Sequence, residues 1–330
     1  MNTMTKRVRR GLSAAAVAAV ATGIALSLTG TASAAPDRRV VIDTGQLIVT
    51  GTNRADNISL SVPAADTSKL EVDFGPGQGK RTVNRSDFTQ IMVNSRGGND
   101  VVRIDFGAEV QPATIVDTGN GNDRAFGGSG NELFRTGNGN DVVDGNRGTD
   151  TALLGNGTDK FIWDPGDGSD VIKGGRGPDT MLFNGSAAAE RFVAEANGSR
   201  LRFTRDVGNI VMDTDDVERV ALNALGGADT VTVGDLRRTD VRKVEVDLGG
   251  QLNASGGDSA VDAVTVKGTN GRDNIRVSGS DGNVRVSGLR TTVQLKDAES
   301  ADQLTIDTRA GRDRVNSGRL APGTINLSIL

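Results

Sequence analysis

Apolar and polar residues alternate over short stretches along most of this chain, as in Val244-Glu245-Val246-Asp247 and Val284-Arg285-Val286. That is the period-two pattern of strands with one face buried, and no long helical pattern stands out beside it. Between Thr118 and Leu182 the alternation falls into a nine-residue register: TGNGNDRAF, GGSGNELFR, TGNGNDVVD, GNRGTDTAL, LGNGTDKFI, PGDGSDVIK and GGRGPDTML, interrupted once by Trp163-Asp164. The fourth position is Gly in every block, the sixth is acidic in every block, and the eighth is apolar: Ala125, Phe134, Val143, Ala152, Phe161, Ile172 and Met181. Each block therefore reads as a turn followed by a short strand. Glycine supplies the turn, the acid closes it, and the apolar residue two positions on points inward to stack on its neighbours.

A looser repeat of about fifty residues occupies the flanks. One copy leads from Val49-Thr50-Gly51-Thr52 through Asp56-Asn57-Ile58 to Gly97-Gly98-Asn99-Asp100-Val101. A second runs from Phe183-Asn184-Gly185-Ser186 to Gly226-Gly227-Ala228-Asp229, and a third from Val266-Lys267-Gly268-Thr269 through Asp273-Asn274-Ile275 to Gly311-Arg312-Asp313. The expected organisation is a leader over 1–34, an N-terminal β-module over 35–117, a repeat roll over 118–182, and two related β-modules over 183–330. The fold class is all-β.

Composition agrees with a turn-dense fold: 45 of 330 residues are Gly, about twice the usual share, and there is no Tyr. Lys6, Arg7, Arg9 and Arg10 precede an apolar run from Ala14 to Leu28 and the small-x-small site Ala32-Ser33-Ala34. This is the layout of an export signal cleaved after Ala34, and the apolar run is short of the ~20 residues a membrane anchor needs. Secretion by the general route and release outside the cell are expected, with no later membrane span. Taking four basic residues and no acidic one from totals of 38 and 42 leaves an excess of eight negative charges, which argues against nucleic acid as a partner. With no Cys in the chain, disulfides cannot staple it, and a metal ion is the obvious substitute.

The central blocks resemble the GGxGxDxUx nonapeptide of the RTX, or haemolysin-type, calcium-binding repeats. The resemblance covers about a fifth of the chain. It implies a parallel β-roll whose turns bind Ca²⁺ through backbone carbonyls and the sixth-position aspartates. Carried over position by position, these are Asp123, Asp141, Asp150, Asp159, Asp170 and Asp179, with Glu132 standing in the second block. The sequence departs from the pattern in places: only three blocks begin with Gly, and Asn146 replaces the second Gly of the fourth. RTX proteins also typically leave by an uncleaved C-terminal signal, whereas this chain carries an N-terminal one.

A roll with two blocks per coil stacks residue i on residue i+18, which predicts two acidic ladders. One is Asp123, Asp141, Asp159 and Asp179; the other is Glu132, Asp150 and Asp170. Carboxylate and carbonyl oxygens on a flexible turn suit Ca²⁺ better than Mg²⁺, and a chain without His or Cys suits neither zinc nor copper. The alternative is a metal-free β-solenoid whose aspartates cap turns. Capping is the expectation for the flank acids Asp56, Asp100, Asp229, Asp273 and Asp313, which have no second carboxylate one coil away in sequence.

The absence of His excludes a Ser-His-Asp triad, a His-ligated zinc site and an HExxH helix. The expectation is therefore no enzyme, but a calcium-stabilised extracellular binding or scaffold protein of adhesin-like type, with a matrix or polysaccharide partner as the candidate class. A carbohydrate-active solenoid, lyase-like or epimerase-like, is the alternative. Asp213, Asp215 and Asp216 read as solvated surface acids, and Trp163 as a core residue beside the insertion.

Overall fold

The computed structural model describes residues 38–330; the expected leader over 1–34 lies outside them. Among the described residues the chain forms 28 β-strands in two sheets of 14, and its only helical pieces are two single 3₁₀ turns, Arg85–Asp87 and Val207–Asn209. No helix among them is long and apolar enough to cross a membrane.

Through the centre the chain alternates between the sheets. One sheet receives Ala113–Asp117, Glu132–Arg135, Thr151–Asn156 and Val171–Arg176; the other receives Arg124–Phe126, Val142–Asp144, Lys160–Trp163 and Thr180–Asn184. Neighbours within each sheet are parallel. Val143 pairs with Ala125 and with Phe161, and Phe161 pairs with Met181. The acids that open these strands are 18 residues apart from Asp123 to Asp141 and from Asp141 to Asp159, and 20 apart from Asp159 to Asp179, where Trp163-Asp164 is absorbed. This is a parallel β-solenoid with two strands per coil.

The period-two pattern decides which side chains face inward. Val116, Phe134, Ala152 and Ile172 make one inner row, and Ala125, Val143, Phe161 and Met181 face it from the other sheet, all with no exposed surface. Trp163, also fully buried, stacks on Phe183 with ring centroids 4.0 Å apart and donates its indole N–H to the carbonyl of Gly168 at 2.7 Å. The two extra residues thus bring a ring into the core, and its one polar atom finds a partner.

The same two sheets continue through both flanks, where each of the three repeat copies contains a three-stranded antiparallel meander. These are Asn57–Ser61 with Lys69–Asp73 and Lys80–Asn84; Arg191–Asn197 with Arg200–Arg205 and Ile210–Asp215; and Asn274–Ser280 with Asn283–Ser287 and Thr292–Lys296. The second meander lies in one sheet while the other sheet steps directly from Thr180–Asn184 to Arg219–Asn223. A coil there takes 39 residues, as from Asp179 to Glu218, and it advances one place in the sheet of Arg219–Asn223 but fills three places in the sheet that holds the meander.

Candidate metal centre

The turn that precedes each central strand is built around glycine. Gly121 and Gly139 both have φ of +138°, and a Cβ on either would lie 1.7 Å from the carbonyl oxygen of the glycine one coil before it, Gly98 or Gly121. Only a residue without a side chain allows turns to stack so closely. All strand entries of one sheet lie on one edge of the solenoid and those of the other sheet on the opposite edge, so the closing acids form two rows.

Within each row the acids are chained together. The backbone N–H of Asp123 donates to Asp141 Oδ1, that of Asp141 to Asp159 Oδ1, and that of Asp159 to Asp179 Oδ1, each at 2.8 Å. On the other edge the N–H of Glu132 donates to Asp150 Oδ1 at 2.7 Å and that of Asp150 to Asp170 Oδ1 at 2.9 Å. One carboxylate oxygen of each aspartate is therefore occupied in tying two coils together.

The other oxygen is not. Oδ2 of Asp123, Asp141, Asp150, Asp159, Asp170 and Asp179 is buried without a hydrogen-bond partner, and each of these residues is at most 2% exposed. Among the described residues none of the six has an ion pair with Lys or Arg. Beside two of these atoms a glycine leaves the place of a side chain empty: a Cβ on Gly145 would lie 2.4 Å from Asp150 Oδ2, and one on Gly174 would lie 2.6 Å from Asp179 Oδ2 and closer still to the carbonyl of Asp216. Burying an ionised oxygen without a partner is costly. An oxygen-lined space with uncompensated negative charge fits a hard cation such as Ca²⁺.

The electrostatics point the same way. Asp150 is pushed up to about 9, first by burial and then by the carboxylates of Glu132, Asp170 and Asp167. Burial, with neighbouring acids behind it, raises Asp141 and Asp170 to about 7 and Asp179 to about 6. Burial also raises Asp123 and Asp159. Carboxylates one strand spacing apart, ~4.8 Å, repel by about 1 kcal/mol in water and about 3.5 kcal/mol at an effective dielectric of 20. Burial and mutual repulsion thus disfavour bare charge in the rows, which a proton or a cation relieves.

Glu132 differs from the aspartates around it. Its longer side chain reaches back so that Oε2 accepts the Gly128 N–H at 2.9 Å, while the Gln111 side-chain amide donates to Oε1. Both oxygens have partners, and the row begins there. Asn146, at φ +55°, donates its side-chain amide to the Gly127 carbonyl at 2.9 Å.

The flank acids require a correction. They do have carboxylates one coil away, because the meanders lengthen the coil in sequence while the strand that follows each acid still pairs directly, in parallel, with that of the next coil. The N–H of Asp56 donates to Asp100 Oδ1 and that of Asp100 to Asp123 Oδ1, which extends the first row toward the N-terminus; the N–H of Asp179 donates to Glu218 Oε2 at its other end. Asp273 is joined to Asp313 in the same way, and a further row runs Glu190, Asp229, Asp262, Asp302. Capping does describe Asp56 and Asp273, whose Oδ2 atoms accept the N–H of Thr52 and Thr269. It does not describe Asp100 and Asp229, whose Oδ2 atoms are buried without partners.

The signal for the missed members was present. Asp100, Asp229, Asp262 and Asp302 each stand two residues before a buried Val or Leu, as in the central blocks. Rows also start at paired acids. Arg38 holds Asp56 at 2.6 Å, and Arg205, itself 5% exposed, holds Glu190 and lies over the Trp163 ring. A separate acidic group, Asp215, Asp216 and Asp240, is half-buried and attended by Arg200, Lys173 and Arg242.

Comparison with curated proteins finds no match to the chain. The family model of the RTX calcium-binding nonapeptide repeat (4 copies) matches residues 117–152, 126–161 and 164–182, parting beside the Trp163-Asp164 insertion. These are the coils whose glycine turns stack at contact distance and whose aspartates carry the unpartnered oxygens. The centre of this chain is thus a run of RTX-type nonapeptide repeats, a family of repeats that binds Ca²⁺.

Proposed function

We propose that the central roll takes up Ca²⁺ through Asp123, Asp141, Asp159 and Asp179 on one edge and Asp150 and Asp170 on the other. The protein is then an exported scaffold that completes its folding on the ion outside the cell. The observation that carries this reading is the set of six buried, unpartnered Oδ2 atoms beside glycine turns. The bound ion supplies the positive charge these rows lack; the aspartates and turn carbonyls supply oxygens, and the Oδ1-to-amide bonds hold the carboxylates in place.

Extracellular calcium modules have dissociation constants of roughly 10⁻⁴ to 10⁻³ M. Sites of that strength are sparse at cytosolic calcium and filled outside, so folding is coupled to export. The export-signal pattern before Ala34 and the absence of Cys support this role. Adhesive or matrix-associated binding, without catalysis, is the activity that fits a long, ion-braced solenoid.

The test is circular dichroism and thermal melting of residues 35–330, titrated with calcium from a chelated start, beside an Asp141→Asn/Asp159→Asn variant. Asn keeps the Oδ1 acceptor and removes the charge. The parent is expected to gain β-signal and melting temperature with calcium, and the variant far less. A parent equally folded in chelator and in calcium overturns the proposal.

A further inference from the structure

The row Glu190, Asp229, Asp262, Asp302 lies outside the nonapeptide repeats, at steps of 39, 33 and 40 residues. Asp229 nevertheless reproduces a central rung. It is 1% exposed, its Oδ1 accepts the Glu190 N–H at 2.8 Å, and its Oδ2 is buried without a partner. Asp262, also 1% exposed, accepts the Asp229 N–H at 2.8 Å. Asp258 reaches the same turn, where its Oδ2 accepts the N–H of Gly227 at 2.8 Å.

The turn is again built on a glycine, though it stacks less closely than the central turns. Gly227 has φ of +109°, and a Cβ there would lie 2.8 Å from the carbonyl oxygen of Ala188. Charge is uncompensated: among the described residues, none of Asp229, Asp258, Asp262 and Asp302 has an ion pair with Lys or Arg. Glu190, at the start of the row, has one with Arg205. The row therefore carries a fixed cation at one end and bare carboxylates beyond it.

We propose that Asp229, through its unpartnered Oδ2, anchors a second Ca²⁺ site in the C-terminal half of the chain, separate from the nonapeptide roll, with the carboxylates of Asp262 and Asp258 supplying negative charge around it. The donor set is carboxylate and carbonyl oxygen on a glycine turn, the chemistry Ca²⁺ takes in preference to softer metals. Without the ion, burial first and then the acids Asp262, Glu190 and Asp258 push Asp229 up to about 8, so a proton is the competing occupant. The site does not rest on calcium uptake by the central rows.

Equilibrium dialysis with radioactive calcium on residues 35–330 separates the two. The variant Asp229→Asn/Asp262→Asn is compared with Asp141→Asn/Asp159→Asn and with the parent. The first pair is expected to lose at least one bound ion at saturation while retaining the central ones, and to add its loss to that of the second pair when combined. A folded Asp229→Asn/Asp262→Asn chain with the parent's full stoichiometry and affinity overturns the site, and marks a proton as the occupant. If the central pair alone loses nothing, it is the central reading that fails.

Should Asp229→Asn/Asp262→Asn not fold, amide hydrogen exchange is measured in the Asp141→Asn/Asp159→Asn background. The amides of Glu190 and Asp229 are then expected to slow at least tenfold on adding calcium, and unchanged exchange overturns the site.

Discussion

Between Thr118 and Leu182 a coil takes 18 residues, or 20 at the insertion, and each turn presses its glycine against the carbonyl one coil away. From Phe183 onward a meander lengthens the coil to 39 or 40 residues, and an aromatic group of Trp163, Phe183, Phe192 and Phe203 fills the core at the junction. Both regions bury a row of carboxylates. The later row starts against the guanidinium of Arg205; the first central row meets one only at its far end, where Arg38 holds Asp56 outside the nonapeptide coils, and among the described residues no acid of the two rows within those coils has such a partner. A buried line of acids needs positive charge, and the two regions differ in whether the chain provides it at the row's start or leaves the whole stretch of coils to an ion.

The largest effect that would sharpen this contrast is expected at Arg205. Replacing it by Met leaves Glu190, 3% exposed, without its ion pair, which costs about 3–5 kcal/mol. Urea denaturation should show the same loss in calcium and in chelator. A loss that calcium erases would mean the ion can substitute for the guanidinium, and the two regions would not differ as described.

Next come the glycines. Gly139→Ala places a methyl on the Gly121 carbonyl at φ +138° and is expected to cost about 3 kcal/mol or more, whereas Gly198→Ala, on a meander turn with nothing within 4 Å, meets only an unfavourable φ of +71° and costs about 1 kcal/mol. Equal losses in denaturation curves would show that close stacking is not special to the central turns.

The smallest effect is on protons. Raised carboxylates hold protons in the folded, metal-free chain that the unfolded chain has already lost. Stability without calcium is therefore full below about pH 4 and falls as pH rises through about 6 to 9, the range reached by Asp179, Asp141, Asp170 and Asp150. Calcium must displace those protons. Calorimetry in buffers of different ionisation enthalpy should show proton release on binding near pH 6.5 and less near pH 9.5. Release independent of pH would detach these aspartates from the ion.

How much of this was legible in the sequence depended on locality. The central rows could be read because partners recur every 18 residues and the insertion displaces both rows together. Trp163 read correctly as core for the same reason. The flank rows could not be read that way, since a meander places 39 to 44 residues between partners, long loops place 33 between Asp229 and Asp262, and no fixed spacing survives. What did survive was chemistry at each strand entry: Asp262-Ala263-Val264 and Asp302-Gln303-Leu304 repeat the acid-to-apolar step of the blocks. The Arg205–Glu190 pair had no sequence signal, because a hairpin brings its partners together.

The chain of hydrogen bonds between acids has a direction. In every row the donor N–H belongs to the earlier coil and the accepting carboxylate to the later one, from Asp56 through Asp100, Asp123, Asp141 and Asp159 to Asp179 and Glu218. Each coil is finished only by its successor. A polypeptide threaded outward from its N-terminus would present, through the central coils, one waiting amide on each edge of its growing end, so the solenoid can be laid down in order, as a ratchet whose teeth are set by the next length of chain to emerge.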